Sequence, residues 1–132
     1  MTQLDRSKYT GPHWTDAFLD ELEAASTNGN VGSMVVSENE RVRVWLIEMK
    51  PGERLPFHTH VLDYFWTATS PGKALSRYGD GTVAEAEYAL GDTKHFKFAK
   101  GESMTHDLEN TGDTVLTFTT VEFLDGENAP LF

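Results

Sequence analysis

The chain has 132 residues, of which 39% are hydrophobic and 24% charged, and these values predict one globular domain with a sizeable core. Its 21 acidic residues against 11 basic ones give a formal charge of −10, which argues against nucleic acid and anionic membrane surfaces as partners. Because cysteine is absent, disulfides and thiolate metal ligands are excluded. The sequence shows no membrane-spanning hydrophobic run and no secretory leader, so we expect a cytoplasmic protein.

The first 30 residues are predicted to form a segment with one short helix, ahead of a main body formed by residues 31–132. In the run TDAFLDELEAASTNG, apolar residues recur at helical spacing and acidic residues are expected on the solvent side. These are Phe18, Leu19 and Leu22, and Glu21 and Glu23, respectively. Thr15 or Asp16 is expected to cap the helix, and Asn28-Gly29 to end it. Such a helix is expected to pack on the main body or on a second subunit.

From about residue 31, the pattern changes to short strands separated by turns. The strand RVRVWLIEM comes first, and the run from Leu55 to Ala68 follows it. A Gly-Asp-Gly turn joins KALSRY and TVAEAEYAL into a hairpin, and TKHFKFA, SMTHDLE and TVLTFTTVEFL complete the series. About seven antiparallel strands with regular turns predict an all-β sandwich or small barrel.

Two histidines, His58 and His60, lie one residue apart in a predicted strand and therefore point to the same face. Leu62, Tyr64 and Trp66 would share that face. If it is interior, the imidazoles need polar partners, and one metal ion bound by both would satisfy them. If the face is exterior, the histidines are simply solvated. Periodicity alone does not choose between the two, because the opposite face also carries aromatic residues.

A third histidine would strengthen the metal interpretation, and three are available. His13 lies in a turn before the helix, where we expect it to be exposed. His95 alternates with Phe96 and is expected to point outward. His106 lies in a separate strand that an antiparallel barrel can bring beside the first pair, so we select it as the third candidate.

At these residues the chain resembles the cupin superfamily. Gly52, His58 and His60, followed by a Pro-Gly turn at 71–72, resemble the first cupin motif. Gly91, Gly101, His106 and Asn110 resemble the second. The resemblance covers about residues 40 to 124 and implies a double-stranded β-helix, a small jelly-roll barrel, within residues 31–132. It leaves the N-terminal helix unexplained.

The resemblance implies that His58, His60 and His106 bind a divalent metal inside the barrel and that Asn110 is structural. Fe(II) is favoured, and Zn(II), Ni(II), Mn(II) or Cu(II) are other candidates. Two features depart from the family pattern. The position of the usual fourth ligand, a glutamate, is occupied by Tyr64, and the second motif lacks its proline and is two residues longer on each side of Gly101.

The leading hypothesis is a small metal-dependent oxygenase that acts on a small organic anion, as three-histidine cupins include dioxygenases that use Fe(II). Tyr64 would then orient the substrate or donate a proton, although a core aromatic residue is an equal interpretation. The alternatives are a non-catalytic ligand-binding or accessory cupin and a metal-dependent isomerase or lyase. The resemblance also implies a homodimer, formed through a sheet face or the N-terminal segment.

Four further residues are candidates for the walls of a substrate pocket. Trp66 and Phe98 could form apolar walls, although ordinary core positions are more common for such residues. Lys94 and Arg77 could present a positive charge to a carboxylate, although solvated positions are the commoner interpretation.

Overall fold

The computed structural model describes residues 4–132, so the first three residues of the predicted N-terminal segment lie outside the described residues. Within 4–132 the chain has two 3-10 turns, Arg6–Lys8 and Ala25–Thr27, helix α1 (Asp16–Ala24) and nine strands. The strands are β1 (Met34–Glu38), β2 (Val42–Met49), β3 (Arg54–His60), β4 (Tyr64–Ala68), β5 (Gly72–Arg77), β6 (Val83–Tyr88), β7 (Thr93–Phe96), β8 (Met104–Asn110) and β9 (Leu116–Phe123). The expected all-β class with a short N-terminal helix is confirmed, with more strands than expected. Among these elements, no helix is long and apolar enough to cross a membrane.

The strands form two antiparallel sheets whose inner faces share one core. The five-stranded sheet has the order β1-β2-β9-β4-β7, and the four-stranded sheet has the order β3-β8-β5-β6. One apolar cluster joins Ile47 and Phe118 of the first sheet to Ala74 and Leu108 of the second. The arrangement is the two-sheet barrel that the sequence predicts. The edge strands β6 and β7 follow each other in the chain but belong to different sheets.

Strand β2 shows how alternation assigns its faces. Trp45, Ile47 and Met49 are buried on the inner face, whereas Val44 is half-buried on the outer face. Arg43 is also on the inner face, where it forms ion pairs with carboxylates rather than contacting solvent. Arg43 can lie on the buried face of β2 because carboxylates pair with its charge.

The run from Leu55 to Ala68 is two strands in different sheets, which corrects the expectation of one continuous strand. β3 ends at His60 and β4 begins at Tyr64. Asp63 stabilises the crossing between them: its side chain accepts a hydrogen bond from the Phe98 N–H, and its carbonyl accepts one from the Phe123 N–H. As a consequence, Phe57 and Phe65, which alternation would place on one face of a continuous strand, lie on the outer faces of two different sheets.

Helix α1 packs on the outer face of the four-stranded sheet, which confirms the expectation that it lies on the main body. Thr15 is its N-cap and accepts a hydrogen bond from the Phe18 N–H. Leu19 and Leu22 are buried in a cluster with Phe57, an outward-facing residue of β3. The α-helix ends at Ala24, and a 3-10 turn continues to the predicted stop at Asn28.

The expectation that Glu21 faces solvent is wrong. Its carboxylate pairs with the guanidinium group of Arg54 and accepts a hydrogen bond from the Phe57 N–H. Arg54 in turn bonds the fully buried Asp107, which also pairs with Arg77. An ionic chain thus runs from helix α1 into the four-stranded sheet, and it fixes the helix on that sheet.

Candidate metal centre

The three candidate histidines come from two neighbouring strands. In the β3–β8 pairing His58 lies directly opposite His106, and His60 follows two residues later on β3. The register shifts between Leu55 and His58. Both residues therefore point into the barrel, although regular alternation would place residues three positions apart on opposite faces. Pro56 lies in this irregularity, and proline is tolerated in strands mainly at bulges and edges because it donates no hydrogen bond.

The imidazole rings converge on one point inside the barrel. The Nε2 atoms of His60 and His106 are 3.2 Å apart, and one ring nitrogen from each of the three histidines lies within 4.8 Å of the others. His58 and His60 are buried, at 2% and 3% exposure. The structure thus brings the three candidate histidines together inside the barrel.

The environment keeps the three imidazoles neutral. Burial lowers the pKa of His58 to about 4, even though its hydrogen bond to the Pro56 carbonyl and the nearby charge of Asp107 act in the opposite direction. Burial, followed by the proximity of the other imidazoles, lowers the pKa of His60 and His106 well below 6.5. At neutral pH each ring therefore has a lone pair available for a metal ion.

This donor set fits a divalent transition metal. Two nitrogens that each lie about 2.1 Å from one ion are separated by roughly 3.0–3.4 Å for right-angle to tetrahedral geometry, and the Nε2 atoms of His60 and His106 are 3.2 Å apart. The Nδ1 atom of His58 lies 2.8 Å from the Pro56 carbonyl, the kind of contact that orients a metal-binding histidine and leaves Nε2 free. The Nδ1 atoms of His60 and His106 have no hydrogen-bond partner among residues 4–132.

Tyr64 lies beside the histidines, as the sequence predicts, and its ring supports one of them. The ring stacks on His60 with 4.1 Å between centroids and 12° between planes, and Phe96 stacks against Tyr64 at 4.5 Å. Burial, with smaller effects from Tyr78, Glu122 and Tyr88, raises the pKa of Tyr64 well above 10.0. The phenol is therefore protonated at neutral pH.

A cavity of about 520 Å³ adjoins the three histidines. Tyr64, Trp66 and Lys94 line it, as do apolar side chains from both sheets. A volume of this size accommodates a small organic molecule. The lining is mainly apolar, and its polar groups include the three histidines, a buried serine, a buried threonine and exposed residues of β6 and β7.

Of the predicted pocket residues, Trp66 and Lys94 border the cavity, but Phe98 and Arg77 do not. Phe98 is buried behind Tyr64, with its ring parallel at 6.3 Å between centroids. Arg77 is neither solvated nor available to a substrate, because it forms buried ion pairs with Asp107 and Glu109. These ion pairs correct the expectation for Arg77.

Asn110 and the two other histidines, His95 and His13, behave largely as expected. Asn110 is buried, donates to the carbonyls of Met49 and Thr114, and accepts from the Gly112 N–H, so its role is structural. His95 is exposed, as predicted. His13 is half-buried rather than exposed, and it lies outside the histidine cluster.

Several cavity residues were not identified from the sequence. Tyr78 lies near His106, with 5.5 Å between ring centroids, and Tyr88 and Phe118 form part of the wall. Tyr88 and Phe118 lie at inward-facing positions of β6 and β9, so strand alternation could have indicated that they line the cavity. It could be used only once the inner face of each strand was known.

Comparison with solved structures identifies similar folds. A cupin domain from Bordetella pertussis Tohama I is 26% identical, with a TM-score of 0.60 over 68% of this chain and 88% of that chain. A conserved double-stranded β-helix protein from Klebsiella pneumoniae is 24% identical, with a TM-score of 0.57 over 81% and 90% of the two chains. A cupin family protein from Methanocaldococcus jannaschii is 17% identical, with a TM-score of 0.53 over 71% and 84%. A scan against protein-family models and a search of curated proteins gave no match.

Proposed function

We propose that this chain, which has the double-stranded β-helix fold of the cupin superfamily, is a metal-dependent oxygenase that acts on a small organic anion. The observation that carries the proposal is the convergence of His58, His60 and His106 beside a cavity. Three neutral nitrogen ligands suit Fe(II), which we favour, and also Zn(II), Ni(II), Mn(II) or Cu(II). A divalent metal held there would keep open coordination positions. Fe(II) would activate dioxygen there for reaction with the substrate, and the substrate would supply the electrons that reduce dioxygen.

The protein side chains have separate tasks in this proposal. His58, His60 and His106 hold the ion, and the hydrogen bond from His58 Nδ1 to the Pro56 carbonyl fixes one ring in position. Tyr64 keeps the His60 ring in place by stacking, and its hydroxyl donates a hydrogen bond that orients the substrate. The apolar walls exclude water from the reacting groups.

A second candidate function is a non-catalytic ligand-binding cupin. The specific observation in its favour is that, within residues 4–132, the carboxylates that line the cavity are those of Glu87 and Asp92, which are both exposed. A general acid or base carboxylate beside the histidines is therefore missing from the described lining. Tight ligand binding without turnover would support this alternative.

Metal analysis tests the proposal. We expect tag-free protein to contain about one equivalent of a transition metal, and a His58→Ala/His60→Ala variant to contain less than a tenth of that while remaining folded by circular dichroism. The matched control is His13→Ala/His95→Ala, which removes two histidines outside the cluster and should keep the metal. A folded wild-type protein that binds none of the candidate ions would refute the metal site.

Oxygen consumption then separates the two functions. Metal-loaded protein is tested with 1,3-diketones, thiols and 2-oxo acids in an oxygen electrode. Consumption that depends on both substrate and metal, and that disappears in His58→Ala/His60→Ala, supports the oxygenase. Saturable binding of a compound without any oxygen uptake or product favours the binding protein.

We also propose a homodimer formed through the outer face of the five-stranded sheet. Val44, Val121 and Phe65 are neighbours in register on that face, and Phe123 packs at its end, 6.1 Å from Phe65. Met34 is 54% exposed at the edge strand. Helix α1 is the weaker candidate for a dimer contact, because its apolar residues already pack on the four-stranded sheet.

A further inference from the structure

The cavity exists because strand β6 carries small residues on its inner face. Ala84 and Ala86 line the cavity at positions where other strands carry large residues, such as Ile47 on β2 and Phe118 on β9. A larger side chain at either alanine would extend into the space. The volume is therefore a property of this sequence and does not follow from the barrel fold alone.

Both alanines are exposed, as are Thr93 and Lys94 on β7, whereas His58 and His60 are buried. Because β6 and β7 are the edge strands of the two sheets, the cavity opens between these two edges. A ligand that enters there passes the edge strands first and reaches the histidines at the inner end.

Three aromatic side chains form the part of the cavity wall that lies next to Tyr64. Trp66, Tyr88 and Phe118 contact each other edge to face, with centroid distances of 5.3, 5.3 and 4.9 Å. Trp66 lies two residues after Tyr64 on β4, and Tyr64 stacks on His60. A molecule anchored at the histidines therefore has an aromatic surface within reach for its organic part.

The positive charge that side chains contribute to the cavity is small. Among the lining residues that the structure describes, Lys94 has the single cationic side chain, and it is exposed and lies over the Phe96 ring at 5.1 Å. The buried arginines Arg43 and Arg77 are paired with carboxylates and do not line the cavity. Glu87 and Asp92 add negative charge at the edge. A divalent ion on the three neutral histidines would balance up to two negative charges at that end of the cavity, whereas an anionic group elsewhere in the cavity would meet little opposite charge.

We propose that the site takes a ligand with an apolar ring whose negative charge is confined to the donor atoms at the metal. Its oxygen donors lie at the histidines, and its ring lies against Trp66, Tyr88 and Phe118. This assignment rests on the metal site proposed above. It refines the expected small organic anion, because it places the anionic group at the metal and an apolar ring at the aromatic wall, which excludes sugar phosphates, whose phosphate or sugar would have to lie against that wall.

Three chelators test the assignment by titration calorimetry on the metal-loaded protein. Tropolone has a ring and one negative charge, acetohydroxamate has one charge and no ring, and oxalate has two charges and no ring. Each affinity is divided by that of the chelator for the free metal ion. We expect tropolone to bind at least tenfold more tightly than either of the others, because ring burial adds favourable apolar contact.

The variant Ala86→Phe fills the cavity without altering a histidine, and its matched control Glu85→Phe places the same ring on the opposite face of β6. We expect Ala86→Phe to weaken tropolone at least tenfold and acetohydroxamate less than threefold, with metal content unchanged. Glu85→Phe should bind all three chelators like the wild type.

The possible failures are distinguishable. A protein that retains no metal overturns the proposed function and this assignment together. A metal-loaded protein that binds oxalate as tightly as tropolone overturns the ligand class alone. Equal tropolone affinity in Ala86→Phe and the wild type overturns the placement of the ring in this cavity.

Discussion

Tyr64 lines the cavity and has two separable parts, a ring that packs on His60 and a hydroxyl group. The variant Tyr64→Phe keeps the ring and its 4.1 Å stacking with His60. We therefore expect unchanged metal content and a loss of at most about 1 kcal/mol in the free energy of unfolding. If the hydroxyl orients the substrate, turnover or ligand affinity falls tenfold or more. Activity equal to the wild type would identify Tyr64 as a packing residue only.

Asn110 makes three hydrogen bonds to backbone groups at the end of β2 and in the turn between β8 and β9. The variant Asn110→Ala leaves two carbonyls and one N–H without their partner in a site that is 1% exposed. We expect a loss of about 2–3 kcal/mol in the free energy of unfolding, measured by urea denaturation. Metal content should not change, and a loss of metal at unchanged stability would contradict the structural role.

At the level of elements, the attachment of helix α1 depends on a charged carboxylate. Burial alone would raise the pKa of Glu21, but its hydrogen bonds to Arg54 and to the Phe57 N–H, together with the charges of Arg54 and Arg77, lower it below 4.5. A carboxyl group with a lowered pKa stabilises the fold above its ordinary pKa, and this stabilisation is lost as the pH falls through the value in the folded protein.

The variant Glu21→Gln should therefore be less stable than the wild type at pH 7, and the difference should shrink as the pH falls below 4.5. Urea denaturation of both proteins between pH 7 and pH 3 measures it. The control is Asp20→Asn on the same helix, which removes an ion pair to Arg6 at a side chain that is 72% exposed and should change stability little. A pH-independent difference for Glu21→Gln would contradict the ionic attachment.

Strand patterns predicted most elements, but not where the chain changes sheet. Alternation from Leu55 to Ala68 continues through Val61–Asp63, so nothing in the pattern marks the crossing. The crossing depends on hydrogen bonds between Asp63 and two distant residues, Phe98 and Phe123, and local sequence does not show these bonds. Pro56 was the one local signal of irregularity, since proline in a strand indicates a bulge or an edge.

At the level of the whole molecule, the histidine cluster was predictable but the cavity beside it was not. His58 and His60 share a face at any register, and the motif spacing added His106. The cavity depends on which face of β6 is inward and on what the opposite sheet places against Ala84 and Ala86. Charge pairing also depends on the fold, because Arg77 meets Asp107 and Glu109 only after β5 and β8 are paired.

The outer faces of the two sheets differ, and this difference predicts how two copies associate. Helix α1 covers the four-stranded sheet, whereas Val44, Val121 and Phe65 form a row on the five-stranded sheet that no described element covers. Burying such a row between two copies removes apolar area from water, which drives association. We therefore expect twice the monomer mass in sedimentation equilibrium at micromolar concentration.

The variant Val44→Arg places a charge at the β2 end of that row and should yield monomers with unchanged metal content. Its control Glu85→Arg places the same charge on the exposed face of β6 and should remain dimeric. A dimer that survives Val44→Arg would move the interface away from this sheet, and a monomeric wild type would refute the dimer. Because the row and the cavity entrance lie on different surfaces, ligand binding should be independent of the association state.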